Sequence, residues 1–122
     1  MTRILLVDDD EQLRNMLSET LREAGYEVVE AREGAEGLRF YHEHGPDLII
    51  TDLIMPEKEG LEIIQEIRRH DPETKIIAMS GGGRHGPYDY LKIAKTFGAR
   101  QVLAKPFSRQ EILTAVEQVL EA

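Results

Sequence analysis

Ile4-Leu5-Leu6-Val7-Asp8-Asp9-Asp10 is a short apolar run closed abruptly by three acids, and Leu48-Ile49-Ile50-Thr51-Asp52 repeats the pattern with one. An apolar run of this length between polar segments reads as a buried strand, and in a parallel sheet all strands end at one edge. Two neighbouring strands of this kind would bring at least three carboxylates into one crevice. Like charges at such distances repel and do not all stay ionised unless a cation joins them. A ligand set made only of oxygen suits a hard divalent ion, Mg²⁺ above all.

Working outward, Glu11 to Ala24 has helical spacing, with Leu13, Met16, Leu17, Leu21 and Ala24 on one face. Asp10 is placed to cap its start and Gly25 to close its end. A weaker strand, Glu27 to Ala31, precedes a helix from Ala35 to His44 that stops at Gly45-Pro46. The third strand is Asp47 to Asp52. After Met55-Pro56, Gly60 to Arg69 forms a helix with Leu61, Ile64 and Ile67 on its buried stripe. Lys75 to Met79 is a fourth strand leading into a Ser80-Gly81-Gly82-Gly83 loop, followed by a helix from about Tyr88 to Phe97 with Gly98 as its stop. Gln101 to Ala104 is the fifth strand. Ser108 and Glu111 have the spacing of a capping box, opening a last helix that carries Ile112, Leu113, Val116, Val119 and Leu120. Five βα units with no linker or repeat predict an α/β fold, a doubly wound parallel sheet with helices on both faces and ligands at the strands' carboxyl ends.

The 122 residues fit one domain, residues 1–122, with no output domain expected. The charge of −8 argues against a nucleic-acid surface, which needs a basic patch, and against an anionic membrane. With no cysteine, disulfides and thiolate metal sites are excluded, and a cytoplasmic location is expected. The four apolar residues after Met1-Thr2-Arg3 are too few for a signal-peptide core or a membrane span. His42, His44, His70 and His85 are scattered without metal-ligand spacing and read as surface residues.

Asp8-Asp9, then Asp52-Leu53-Ile54-Met55-Pro56 with Gly60, then Ser80, then Lys105-Pro106 each follow the appropriate strand. In that order and spacing they resemble the receiver domains of two-component response regulators, over essentially the whole chain. The resemblance implies a flavodoxin-like five-stranded sheet in the order 2-1-3-4-5 with five helices. It also implies that Asp52 is the phosphoacceptor, taking a phosphoryl group from a sensor histidine kinase or a histidine phosphotransfer protein. By the same likeness, Mg²⁺ is held by Asp9, Asp52 and the backbone carbonyl of Ile54, with Asp8 acting through a water. Lys105 would face a phosphoryl oxygen or Asp52 itself, Ser80 would hydrogen-bond the transferred group, and the Lys105-Pro106 peptide would be cis. The phosphorylated domain would then signal to a separate protein target, catalysing nothing beyond its own phosphorylation and dephosphorylation.

The family's pattern is broken at Val102, where Tyr or Phe is usual three residues before the lysine. That loss shifts the expected switching motion to the glycine-rich Gly81–Pro87 loop. The residues disfavour two other classes. A haloacid-dehalogenase-type phosphohydrolase needs Thr or Val where Gln12 stands, and a flavodoxin-type flavin site would place its phosphate beside three carboxylates. A receiver-like binding module that works without phosphorylation is a third alternative, disfavoured because all five reactive positions are filled.

Overall fold

In the computed structural model, residues 1–53, 60–80, 92, 95 and 98–121 are described, with the backbone alone at 60 and 61. The elements alternate as β1 (Arg3–Val7), α1 (Glu11–Glu23), β2 (Glu27–Ala31), α2 (Gly34–His44), β3 (Leu48–Asp52), α3 (Gly60–His70), β4 (Lys75–Ser80), β5 (Gln101–Ala104) and α4 (Arg109–Glu121). The strands form one parallel sheet in the order β2-β1-β3-β4-β5, as the resemblance implied. Of the helix expected from Tyr88 to Phe97, only Lys92 and Lys95 lie among the described residues, and both are helical and exposed. The Gly81–Pro87 loop and the Ile54-Met55-Pro56 stretch lie outside them.

The near-continuous apolar strands make sense once both sheet faces are covered. Leu5, Val7, Ile49 and Ile76 point to one face and pack against Leu38, Tyr41, Ile63, Ile64 and Ile67 of α2 and α3. Ile4, Leu6, Leu48, Ile50 and Ile77 point to the other and pack against Leu17 and Leu21 of α1 and Ile112, Val116 and Val119 of α4. Burying each Leu or Ile this fully contributes about 1.5–3 kcal/mol.

Local chemistry sets most boundaries. Asp10 caps α1 by accepting the Leu13 N–H at 3.2 Å. Gly25 and Gly45 turn left-handed, at φ 97° and 56°, where α1 and α2 give way. The capping box is reciprocal: the Glu111 N–H donates to Ser108 Oγ at 3.0 Å and the Ser108 N–H donates to Glu111 Oε1 at 3.1 Å. Several expectations shift at the ends. Glu33 caps α2 by accepting the Glu36 N–H, so the helix opens at Gly34. Asp47 stays outside β3, its side chain accepting the Arg3 N–H at 2.8 Å. Ser80 is the last residue of β4 rather than the start of a loop, and α3 runs on to His70. Ala24 is exposed as the C-cap of α1 instead of facing the core, and that helix buries Arg14, Ser18 and Thr20 beside Leu17 and Leu21.

Candidate functional site

Register builds the site. β1 pairs with β3 so that Val7 lies beside Thr51, which places Asp8 and Asp52 as neighbours at the carboxyl edge. β3 pairs with β4 through Asp52 and Met79, leaving Ser80 one step further along, and Ser80 in turn pairs with Ala104, just before Lys105. Four strand ends thus deliver Asp8, Asp52, Ser80 and Lys105 to one edge of the sheet.

One carboxylate oxygen from each of Asp8, Asp9 and Asp52 lies within 4.8 Å of the others. Asp8 is fully buried, Asp52 nearly so, and Asp9 is exposed. The Lys105 ammonium donates to Asp8 Oδ2 at 3.0 Å and stands 3.4 Å from Asp52 Oδ2. Lysine therefore reaches Asp52, one of the two groups the resemblance assigned to it, and also Asp8, which is the nearer. Burial pushes the Asp8 carboxyl above the ordinary aspartate value, although the Asp10 N–H donating at 2.8 Å and Lys105 both work against the rise. Burial alone would lower Lys105, but the combined pull of Asp52 and Asp8 carries its ammonium above the ordinary lysine value.

Among the described residues, three carboxylates face one ammonium, which leaves the cluster short of positive charge, and the donors are all hard oxygens. The residues present fit a divalent cation such as Mg²⁺. The Ser80 hydroxyl is fully buried and has no hydrogen-bond partner among the described residues. An unmet hydroxyl of this kind costs about 1–3 kcal/mol. An incoming oxygen-rich group at this edge would offer it an acceptor. Lys105-Pro106 is cis, as expected. Val102 is partly buried against the core on the α2 and α3 face, paired with Ala78 in the sheet. Asp10 is the helix cap and stands outside the cation cluster. Ile54 lies outside the described residues.

Arg14 was missed from the sequence. Its guanidinium is buried and donates to the Asp8 carbonyl at 3.0 Å, while Nε pairs with Glu30 at 3.4 Å. α1 thereby holds the backbone on which two of the three acids ride. The available signal was an arginine three residues before Leu17 and seven before Leu21, on a stripe otherwise apolar.

The sequence model of the response regulator receiver domain matches residues 4–117. The chain belongs to this family. The receiver is 37% identical to chemotaxis protein CheY of Bacillus subtilis over 119 residues, 97% of each chain. It is 32% identical to sporulation initiation phosphotransferase F of the same organism over 118 residues, covering 97% of this chain and 93% of that one. Its backbone matches the crystal structure of a response regulator receiver domain protein from Clostridium thermocellum with a TM-score of 0.91 and 31% identity, over 99% and 95% of the two chains. Two-component signal transduction is accordingly the function of this receiver, and the haloacid-dehalogenase and flavodoxin alternatives gain no support. Among the described residues, no helix is long and apolar enough to cross a membrane.

Proposed function

We propose that Asp52 accepts a phosphoryl group from a phosphohistidine on a sensor histidine kinase or histidine phosphotransfer protein, and that residues 1–122 then signal as one receiver unit to a separate protein target. The observation that carries this reading is the convergence of the Asp8, Asp9 and Asp52 carboxylates within 4.8 Å, with Lys105 in contact with two of them. An Asp52 oxygen attacks phosphorus, the phosphorus–nitrogen bond breaks, and its electron pair stays with the departing imidazole. Such a transfer asks the protein mainly for position and charge. Asp9 and Asp52, with the Ile54 backbone carbonyl by family likeness and Asp8 through water, would hold Mg²⁺; bound there, the ion neutralises charge on the phosphoryl oxygens. Lys105 is a mobile point charge suited to one of those oxygens once it leaves Asp8. The Ser80 hydroxyl, without a partner among the described residues, would donate to another.

The chain would turn over no outside substrate, because the acceptor is its own side chain. Incubation with acetyl phosphate and Mg²⁺ tests the assignment. Intact mass should show one added phosphoryl group, labile to hydroxylamine, and none on the Asp52→Asn variant. A full adduct on that variant, or on wild type in excess chelator, would sink it.

A further inference from the structure

At the opposite end of the sheet from the acids, α2 and α3 bring two histidines together. His42, in the last turn of α2, and His70, the last residue of α3, have ring centroids 4.9 Å apart at an interplanar angle of 89°. Both side chains are exposed, and both rings rest edge-on against the buried Tyr41 ring, at 5.1 and 5.6 Å. The two imidazoles form a shared wall between two surface clefts. One, of about 320 Å³, is also lined by Asp71 and Thr74; the other, of about 450 Å³, by Glu66 and Arg69.

We propose that His42 and His70 form a binding site for a borderline divalent transition-metal ion, Zn²⁺ in the first instance, bridging the carboxyl ends of α2 and α3. Imidazole nitrogen is a ligand that Zn²⁺ takes readily and that Mg²⁺ leaves for oxygen. Each helix end carries a partial negative charge, which favours a cation there. The ionised side chains lining the two clefts comprise two carboxylates, Glu66 and Asp71, and one guanidinium, Arg69, so the formal balance is also negative. Zn²⁺ bonds to nitrogen at about 2.0–2.1 Å, so the rings must turn their nitrogens towards a common point. Exposure of both side chains leaves that rotation open, and Tyr41 fixes where the rings rest. Water completes the coordination. The site is chemically distinct from the acid cluster and independent of it.

Zn²⁺ titration in a large excess of Mg²⁺, which holds the acid cluster with the softer ion's competitor, isolates the histidines. Calorimetry should report a single Zn²⁺ per chain. Imidazole nitrogen resonances of His42 and His70 should shift, while those of His44, whose ring sits against Phe40 at 5.7 Å, should not. His42→Gln and His70→Gln should each weaken binding at least about tenfold, and His44→Gln should leave it unchanged. All three histidines are exposed, so circular dichroism should report folded variants. Absence of binding, undiminished binding in both variants, or a shift at His44 matching those of the pair would overturn the proposal.

Discussion

Because Lys105 stands 3.0 Å from Asp8 and 3.4 Å from Asp52, its ammonium takes up the ground that a divalent cation would use to join the same carboxylates. Lys105→Ala should therefore bind Mg²⁺ with equal or higher affinity than wild type while losing efficient phosphorylation. Asp9→Ala should lose at least about tenfold in Mg²⁺ affinity, since it removes a donor. Calorimetry on the two variants checks this, and a matching loss in both would contradict it. Asp8 makes a second prediction. Its folded-state pKa is raised above the ordinary 3.8 by burial, so the contribution it makes to stability is complete below that value and is lost as pH rises through the folded value. At neutral pH the ionised, buried carboxylate then opposes folding. Asp8→Asn keeps an oxygen for the Asp10 N–H and should raise the Tm of the protein in EDTA at pH 7, with the gain vanishing in acid below the aspartate range. A wild type more stable than this variant at pH 7 in EDTA would overturn the account. Asp8, Asp9, Asp52, Ser80 and Lys105 were all legible as residue types at strand ends. The divided loyalty of Lys105 was not, because a distance to one acid rather than another depends on side-chain reach across three strands.

At the scale of elements, α2 lies so close to β1 that a Cβ added at Gly37 would come within 2.9 Å of Val7 Cγ2. Val7 is fully buried and stiff about χ1, and it precedes Asp8 directly. Gly37→Ala should cost about 1–3 kcal/mol by overpacking, readable as a lower urea midpoint, and should weaken Mg²⁺ binding through displacement of the β1 end. A stabilised variant would show that the helix yields freely. Strands and helices were legible because a sheet covered on both faces demands apolar runs and each covering helix demands a stripe. Their order in the sheet was carried by the family likeness, since spacing alone does not say which strands are neighbours. Arg14 escaped notice because an arginine on an apolar stripe ordinarily extends its head to water. Here the head turns back to the Asp8 carbonyl. The meeting of His42 and His70 was equally hidden, because it depends on two crossover helices lying side by side rather than on any local spacing.

For the molecule as a whole, cation binding and folding are linked. An ion held only by the folded state at about a hundred times its dissociation constant adds about 2.7 kcal/mol. Thermal scans should show Tm rising with Mg²⁺ in wild type and much less in Asp9→Ala, with EDTA abolishing the difference; a shift of equal size in both would place the stabilising ion elsewhere. The contact between Lys105 and Asp8 spans 97 residues of chain, nearly the whole sequence. Closing so long a loop carries a large entropy cost that local contacts do not repay, and structure rich in such contacts forms slowly. During synthesis from the amino end, the acids of β1 and β3 emerge well before the lysine that partly neutralises them. A chain still missing β5 would hold its carboxylates together without that counter-charge. The charge balance of the receiving edge therefore waits on the docking of β5 against β4.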